Sequence, residues 1–535
     1  MSMRIADRSL AAALLLCLLF FGLGCVFLPY TGAQYDEVLF ASQIYPPYIG
    51  EFSLDTPFGK LPLMVMTYVG SLKTWLLWPL LKLFGPSHAV MRLPMLAVAT
   101  GSILLFFLAM RKLVPPWVAV LVTALLATDL NYLLISLYDW GPVALQHLFL
   151  TLVLYAGIRY AQEGQRRWLI LASFVAGLAL WDKAIFIWLL GGFGAALVLI
   201  FPRRMWQLAL SPRAALPALA AFLLGSAPLV YYNWVKPFKT FTSDVTVGGE
   251  NYFSKISQVD TALAGDGLRG FMTRPDAGSK PGDIKIWERA ALKLEFLLGF
   301  PRRSFQAVLV VLSLLAVPLL LVTPYRRLLL WVLVGLALTC AAMFSTHRAG
   351  GGLHHTLLLW PMFHVIVAVA AAVLYRWKPR IAIGLLVAGS VSNLIVADAM
   401  IGNFARCGTT SQWSDAVRGL VRVAGNDTTR TIAATEWGII EQVRYFSEGR
   451  IGYYPGSDGW LRELNNPAVL AAVERAIELE TTLWIGHAKG SEIFSDTNDI
   501  LLRTATDKGY RKRELDVIRD RHGRPVFELF DFRKP

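Results

Sequence analysis

Tyr35-Asp36-Glu37-Val38-Leu39-Phe40-Ala41-Ser42-Gln43, continued by Asp55-Thr56-Pro57-Phe58-Gly59-Lys60-Leu61-Pro62-Leu63, is the stretch around which the chain is organised. It follows an apolar span, Leu10 to Leu28, and a short Pro29-Tyr30-Thr31-Gly32 turn. The adjacent acids Asp36 and Glu37 are therefore expected just outside a membrane, close to its surface. A carboxylate there is partly desolvated, which raises its pKa and makes it a better proton acceptor. An acidic pair can also be a plain loop feature, so the reading depends on the rest of the chain.

The chain has 535 residues, 55% hydrophobic and 16% charged. Soluble globular proteins carry roughly 25% charged residues, so this composition is that of an integral membrane protein. The net charge of +14 does not indicate nucleic acid, because the Lys and Arg residues gather at the ends of apolar spans, which is a topology signal. Cys17, Cys25 and Cys340 lie in apolar spans and Cys407 in a polar one. That distribution supports neither a disulfide framework nor a thiolate metal site. The first span follows Arg4 and Arg8 and has features of a signal peptide. Because many spans follow, it reads as an uncleaved first helix.

A crossing helix needs about 20 apolar residues, and length with charge indicates about eleven of them. They are expected near 9–29, 89–110, 115–136, 142–161, 168–182, 184–201, 214–235, 304–323, 328–345, 355–375 and 380–398. Arg111-Lys112, Arg159, Arg166-Arg167, Arg203-Arg204, Arg326-Arg327 and Arg376 to Arg380 fall on one side with Arg4 and Arg8, as cytoplasmic loops do. The opposite side receives 30–88, 237–302 and the tail from about 403. This puts the N-terminus in the cytoplasm and the tail outside. Leu61 to Phe84 is apolar but interrupted by Lys73, Pro79 and Lys82, which suits helices lying in the interface. Ile286 to Phe300 has helical spacing, with Trp287, Leu292, Phe296 and Leu297 on one apolar face. The tail, 403–535, reads as a soluble α/β domain. It has strands at Thr431–Thr435 and Thr482–Ile485, a helix over Asn466–Glu480, and a hairpin turning at His522-Gly523.

Polar groups gather at the external membrane edges. They are Asp36-Glu37, Asp139, Asp182-Lys183, and the run His347-Arg348-Ala349-Gly350-Gly351-Gly352-Leu353-His354-His355, with Lys60 joining from the first loop. Ionisable groups at membrane depth cost a few kcal/mol each unless paired or facing water, so several on one face suggest a shared polar cavity. Each also has a plain structural reading. Asp139 and Asp182-Lys183 can be tight turns. His354 and His355 can be interface residues, the glycine run a turn or a phosphate nest, and Lys60 a headgroup anchor.

In order and membrane side, these elements resemble the C-type membrane glycosyltransferases of the protein O-mannosyltransferase superfamily and its bacterial relatives, including the lipid A aminoarabinose transferase. The resemblance covers about 1–400. It rests on Asp36-Glu37 after the first helix, Gly59-Lys60-Leu61-Pro62-Leu63, Phe84-Gly85…Arg92-Leu93-Pro94, Asp139, Gly177-Leu178-Ala179-Leu180-Trp181-Asp182-Lys183 and Trp360-Pro361. This chain departs from the family at Asp182-Lys183-Ala184 and at His354-His355, which bears on the sugar. The resemblance implies a polytopic α-helical membrane domain over 1–402 in a bacterial inner membrane, to which the tail adds the extracytoplasmic α/β domain expected over 403–535. It also implies transfer of a sugar from a polyprenyl-phosphate donor to a lipid, glycan or protein acceptor, without a metal or other cofactor.

In that scheme Asp36 is the general base. Glu37 orients the acceptor or the helix that holds Asp36, and Asp139 orients the acceptor or a lysine. Lys60, Lys183, His354 and His355 are the candidates for the donor phosphate. A flippase would need two related halves and broken helices at the midplane, and the sequence has no such repeat. A membrane-anchored sugar sensor would leave the clustered acids and lysines without a task.

Overall fold

The computed structural model describes residues 2–46, 50–57, 59–243, 248, 252–278, 284–299, 303–346, 352–494 and 496–535. His347 to Gly351, and with them most of the glycine run, lie outside the described residues.

Helices occupy each of the expected spans. By length and apolar composition seven of the described helices are able to cross a membrane, or nine if two bent pairs each count as one span. Arg166–Asp182, at 17 residues, and Phe305–Leu315, at 11, are shorter. One bend, of 60°, separates Pro116–Ala127 from Leu130–Leu137. There Asp129 caps the second helix, accepting from Tyr132 N at 3.0 Å. Its other oxygen accepts from the Trp360 indole at 2.8 Å and from Gln306 at 2.5 Å. A carboxylate at this depth is tolerated because donors surround it.

Close helix packing comes from small residues. A Cβ on Gly177 would run into the Phe222 carbonyl, and one on Gly225 into that of Phe174. The Arg166–Asp182 and Pro212–Val235 helices therefore meet backbone to backbone, the contact that small residues permit where lipid supplies no hydrophobic drive.

The first external loop departs from expectation. Residues 61–84 do not form a series of interfacial helices. β1 (Phe52–Thr56), β2 (Gly59–Met66) and β3 (Val69–Gly70) make an antiparallel sheet, and only Leu72–Phe84 is helical. The physical reason is pairing: Phe52–Thr56 lies antiparallel along Gly59–Met66, and Pro62 would interrupt a helix there. Lys73, in the helix, is fully buried. The Ile286–Leu298 helix forms as expected and reaches the first loop, where Trp287 Nε1 donates to Tyr30 Oη at 3.0 Å. Trp287, Phe296 and Leu297 are exposed, while Glu288 and Glu295 face inward to Arg521 and Arg406. The apolar face is thus left for lipid.

In the tail, β4 (Thr431–Ala434) runs parallel to β5 (Thr482–His487). β7 (Pro525–Arg533) is antiparallel to both β5 and β6 (Arg511–Arg519), giving the order β4-β5-β7-β6. The expected helix is Pro467–Glu478, capped by Asn466. The Thr497–Asp507 helix was not expected from the sequence. The preceding membrane helix, Pro379–Cys407, runs past the expected boundary at 402. The tail docks on the first loop: Gln442 Nε2 donates to Ala33 O at 2.6 Å, and Arg444 Nη2 to Ser42 Oγ at 2.7 Å.

Candidate active site

Gln34 starts the site. Its side chain caps the Tyr35–Ser42 helix by accepting from Asp36 N at 2.7 Å, and Glu37 Oε2 reaches back to Gln34 N at 3.3 Å. This reciprocal box fixes the first turn and sends the two neighbouring acids to different places.

Glu37 turns into the protein. Arg92 Nε donates to Oε1 at 2.6 Å and Nη2 to Oε2 at 2.9 Å, with both side chains buried. The same guanidinium donates to the carbonyls of Leu28, Thr31 and Gly32 and lies over the Tyr138 ring. Of the two roles open to Glu37 from sequence, the geometry supports holding the helix. Both of its oxygens are engaged and the side chain is buried.

Asp36 points the other way and is only half-buried. Its Oδ2 accepts from Trp140 Nε1 at 2.8 Å. Burial pushes its carboxyl above the ordinary value, opposed by Lys183, the Trp140 bond and Lys73. Trp140 belongs to the turn Tyr138–Pro142, where Asp139 has φ 44° and Gly141 φ 74°. Asp tolerates that left-handed conformation and Gly prefers it. Through the turn, Asp139 faces the Leu72–Phe84 helix: Lys73 Nζ lies 2.7 Å from Asp139 Oδ2. Asp139 Oδ1 accepts from Ala144 N at 2.8 Å, which starts the next helix.

Lys183 comes from the opposite wall, where its backbone bridges to Val69 of β3. A Cβ on Gly141 would lie 2.8 Å from Lys183 Nζ, so the missing side chain is the space this ammonium uses. Burial lowers its pKa to about 8, opposed by the charges of Asp36, Asp182 and Asp139. Among the described residues no carboxylate is in direct contact with Nζ. Asp182 is held by Gln146 Nε2 at 2.8 Å.

The structure therefore brings Asp36, Asp139, Asp182 and Lys183 together, as the sequence led one to expect, and adds Lys73 and Trp140. In the sequence Lys73 is an interruption of an apolar stretch. As an ionisable residue among apolar neighbours it carried a signal for a site. Trp140 was visible next to Asp139 but had no assigned task. His354 joins through Trp140, with ring centroids 4.7 Å apart, and its ring is tilted against that of His355 at 4.0 Å. Lys60 is a correction. It lies exposed near the start of β2, opposite Asp55, and is not brought to the cluster. The β1–β2 turn carries it outward.

Residues 70–232 match the family model described as dolichyl-phosphate-mannose-protein mannosyltransferase. No curated protein matches the chain. Among solved structures, ArnT from Cupriavidus metallidurans bound to undecaprenyl phosphate aligns at 12% identity and TM-score 0.48, over 96% of this chain and 97% of that one. The oligosaccharyltransferase of Archaeoglobus fulgidus, in its apo form, aligns at 13% identity and TM-score 0.48, over 90% of this chain and 69% of that one. The family match bears out the resemblance read from the sequence. It spans Lys73, Arg92, Asp139, Asp182 and Lys183, whereas Asp36, Glu37, Lys60, His354 and His355 lie outside it.

Proposed function

We propose that this integral membrane protein is a glycosyltransferase that takes a sugar from a polyprenyl-phosphate carrier and passes it to a hydroxyl of a lipid, glycan or protein acceptor on the outer face. The observation that carries this reading is a pair: the half-buried Asp36, whose carboxylate accepts one indole bond, and the Lys183 ammonium with no carboxylate in contact among the described residues. The matched family's own donor, a polyisoprenyl-phosphate sugar, supports it.

In the reaction, Asp36 takes the proton of the acceptor hydroxyl as its oxygen bonds to the anomeric carbon. The bond from that carbon to the phosphate oxygen breaks, and the electron pair leaves with the lipid phosphate. Lys183 offsets the charge that collects there. Trp140 fixes the Asp36 carboxylate. Lys73 and Asp139 neutralise each other and hold the Tyr138–Pro142 turn. His354, beside Trp140, is the further donor-side candidate. Residues 1–402 carry this chemistry, and 403–535 form its outer cover.

The test compares membranes containing the wild-type protein, the Asp36→Asn variant or neither. Lipid, glycan and protein fractions are searched by mass spectrometry for a pentose or hexose increment, and undecaprenyl-phosphate binding is measured on purified protein. The increment should appear with wild type alone, with binding retained in Asp36→Asn. An increment of equal size with Asp36→Asn would remove Asp36 as the base.

A further inference from the structure

The end of the helix bundle opposite Lys183 carries a groove that the transfer chemistry does not use. From Lys183 the chain enters the Ile187–Ile200 helix, which rises about 20 Å along its axis. It then turns by 106° into a short helix, Pro202–Ala209. Pro202 opens that helix, where its missing N–H is no loss. Pro202, Met205, Trp206 and Ala209 are spaced i, i+3, i+4, i+7 and share one face of it. Val198 of the longer helix closes the corner. With Arg203, these residues line an open groove of about 570 Å³, within the roughly 300–1,000 Å³ of ligand pockets. The protein leaves its walls uncovered: Trp206 is 68% exposed and Val198 55%.

The rim of the groove is basic and lacks acids. Arg203 is the one charged residue in the lining, and Arg204 follows it, both exposed. Arg213 stands at the start of the next helix. Between Asp182 and Asp244 the sequence has no Asp or Glu. Among the described residues no carboxylate forms a salt bridge with Arg203, Arg204 or Arg213. The Arg326–Phe344 helix runs antiparallel to Ile187–Ile200: Trp331 Nε1 donates to Phe193 O at 3.2 Å and Thr339 Oγ1 to Trp188 O at 3.3 Å. Arg326 and Arg327 are therefore carried to the same end. A guanidinium matches a phosphate in shape and charge, and tryptophan suits the level where headgroups meet hydrocarbon.

An apolar groove with an unpaired guanidinium at its mouth asks for a ligand with both characters. A soluble anion would leave the groove unfilled, and a lipid without net charge would not offset the arginines. We propose that this corner is a binding site for an anionic glycerophospholipid, with an acyl chain along Val198, Met205, Trp206 and Ala209 and the headgroup phosphate on Arg203. Arg204 adds charge at the headgroup, as in basic lipid pockets generally. The site stands at the far end of the helix from Lys183, so it is separate from the place of the donor's phosphate. It rests on the membrane-protein reading and is independent of the transferase reading.

The experiment titrates the full-length protein in detergent with phosphatidylglycerol or phosphatidylcholine of matched acyl chains, and counts bound lipid by native mass spectrometry. Wild type should bind its first phosphatidylglycerol more tightly than phosphatidylcholine. Arg203→Gln/Arg204→Gln should weaken that first binding about fivefold per arginine and leave phosphatidylcholine unchanged. Ala209→Trp fills the groove and keeps both arginines; it should weaken both lipids. Arg166→Gln/Arg167→Gln removes two exposed arginines outside the lining and should leave the first affinity as it is. Equal binding of the two lipids by wild type overturns the site. So does an equal loss from the Arg166/Arg167 variant, which would mark diffuse surface charge. Undecaprenyl phosphate at equal concentration should not displace the phospholipid; displacement would make the corner a carrier site and overturn the proposal.

Discussion

Asp36 and Glu37 are neighbours in one helical turn, yet they stand in two regions of opposite character. Around Glu37 the polar groups are closed on one another. Arg92 gives two bonds to its carboxylate and three more to the carbonyls of Leu28, Thr31 and Gly32. Around Asp36 the set is open: one indole bond, some exposure, and a cation nearby without a carboxylate in contact among the described residues. A buried polar network that is fully satisfied serves the fold. One that retains capacity, in a site that perturbs its pKa, is where chemistry is found.

The largest effect should separate the two acids. Asp36→Asn should lower turnover by about 10²–10⁴-fold, the range of general-base catalysis, with thermal unfolding in detergent unchanged. Glu37→Gln should do the reverse. It leaves the Arg92 charge buried without a counter-charge, at a cost of about 3–5 kcal/mol, seen as a lower unfolding temperature. The Glu37→Leu/Arg92→Met double variant should lose less than the sum of its single variants. If it loses the full sum, the two side chains do not act as one unit.

The pH profile sharpens the contrast. Asp36 works deprotonated, so kcat/KM should fall as pH drops through its raised pKa. Lys183 works protonated, so kcat/KM should also fall as pH rises through about 8. Each limb changes rate about tenfold per pH unit. Lys183→Arg keeps its charge at every accessible pH and should flatten the alkaline limb; an unchanged limb would assign it elsewhere. The smallest effect should come from Lys60→Ala. An exposed lysine near a membrane surface contributes about 1 kcal/mol through anionic headgroups. Its effect on donor affinity should therefore be weaker than that of Lys183→Met and should disappear in vesicles of neutral lipid.

Much of this was legible in the chain. Spans of apolar residues bounded by Arg and Lys read as membrane helices because lipid admits few backbone arrangements. Asp36, Asp139, Asp182 and Lys183 stood out because a charge among apolar neighbours needs a reason. The β1–β2–β3 sheet was hidden, because a short apolar run fits a ribbon or a helix equally well until its partner strand is known. Lys73 carried a signal, but its pairing was hidden. Its partner, Asp139, is distant in sequence, and pairings across such distances leave no local trace.

Local composition alone determined that this is a membrane protein with acids and lysines at one set of edges, because the cost of transfer into lipid is a property of each residue in its own segment. The tertiary structure decided which acid is bound by Arg92 and which remains available, that Lys73 rather than Lys60 enters the cluster, and that the tail docks on the first loop. Those outcomes depend on distances between segments, and a hydrogen bond or an ion pair exists only where folding brings both partners within reach.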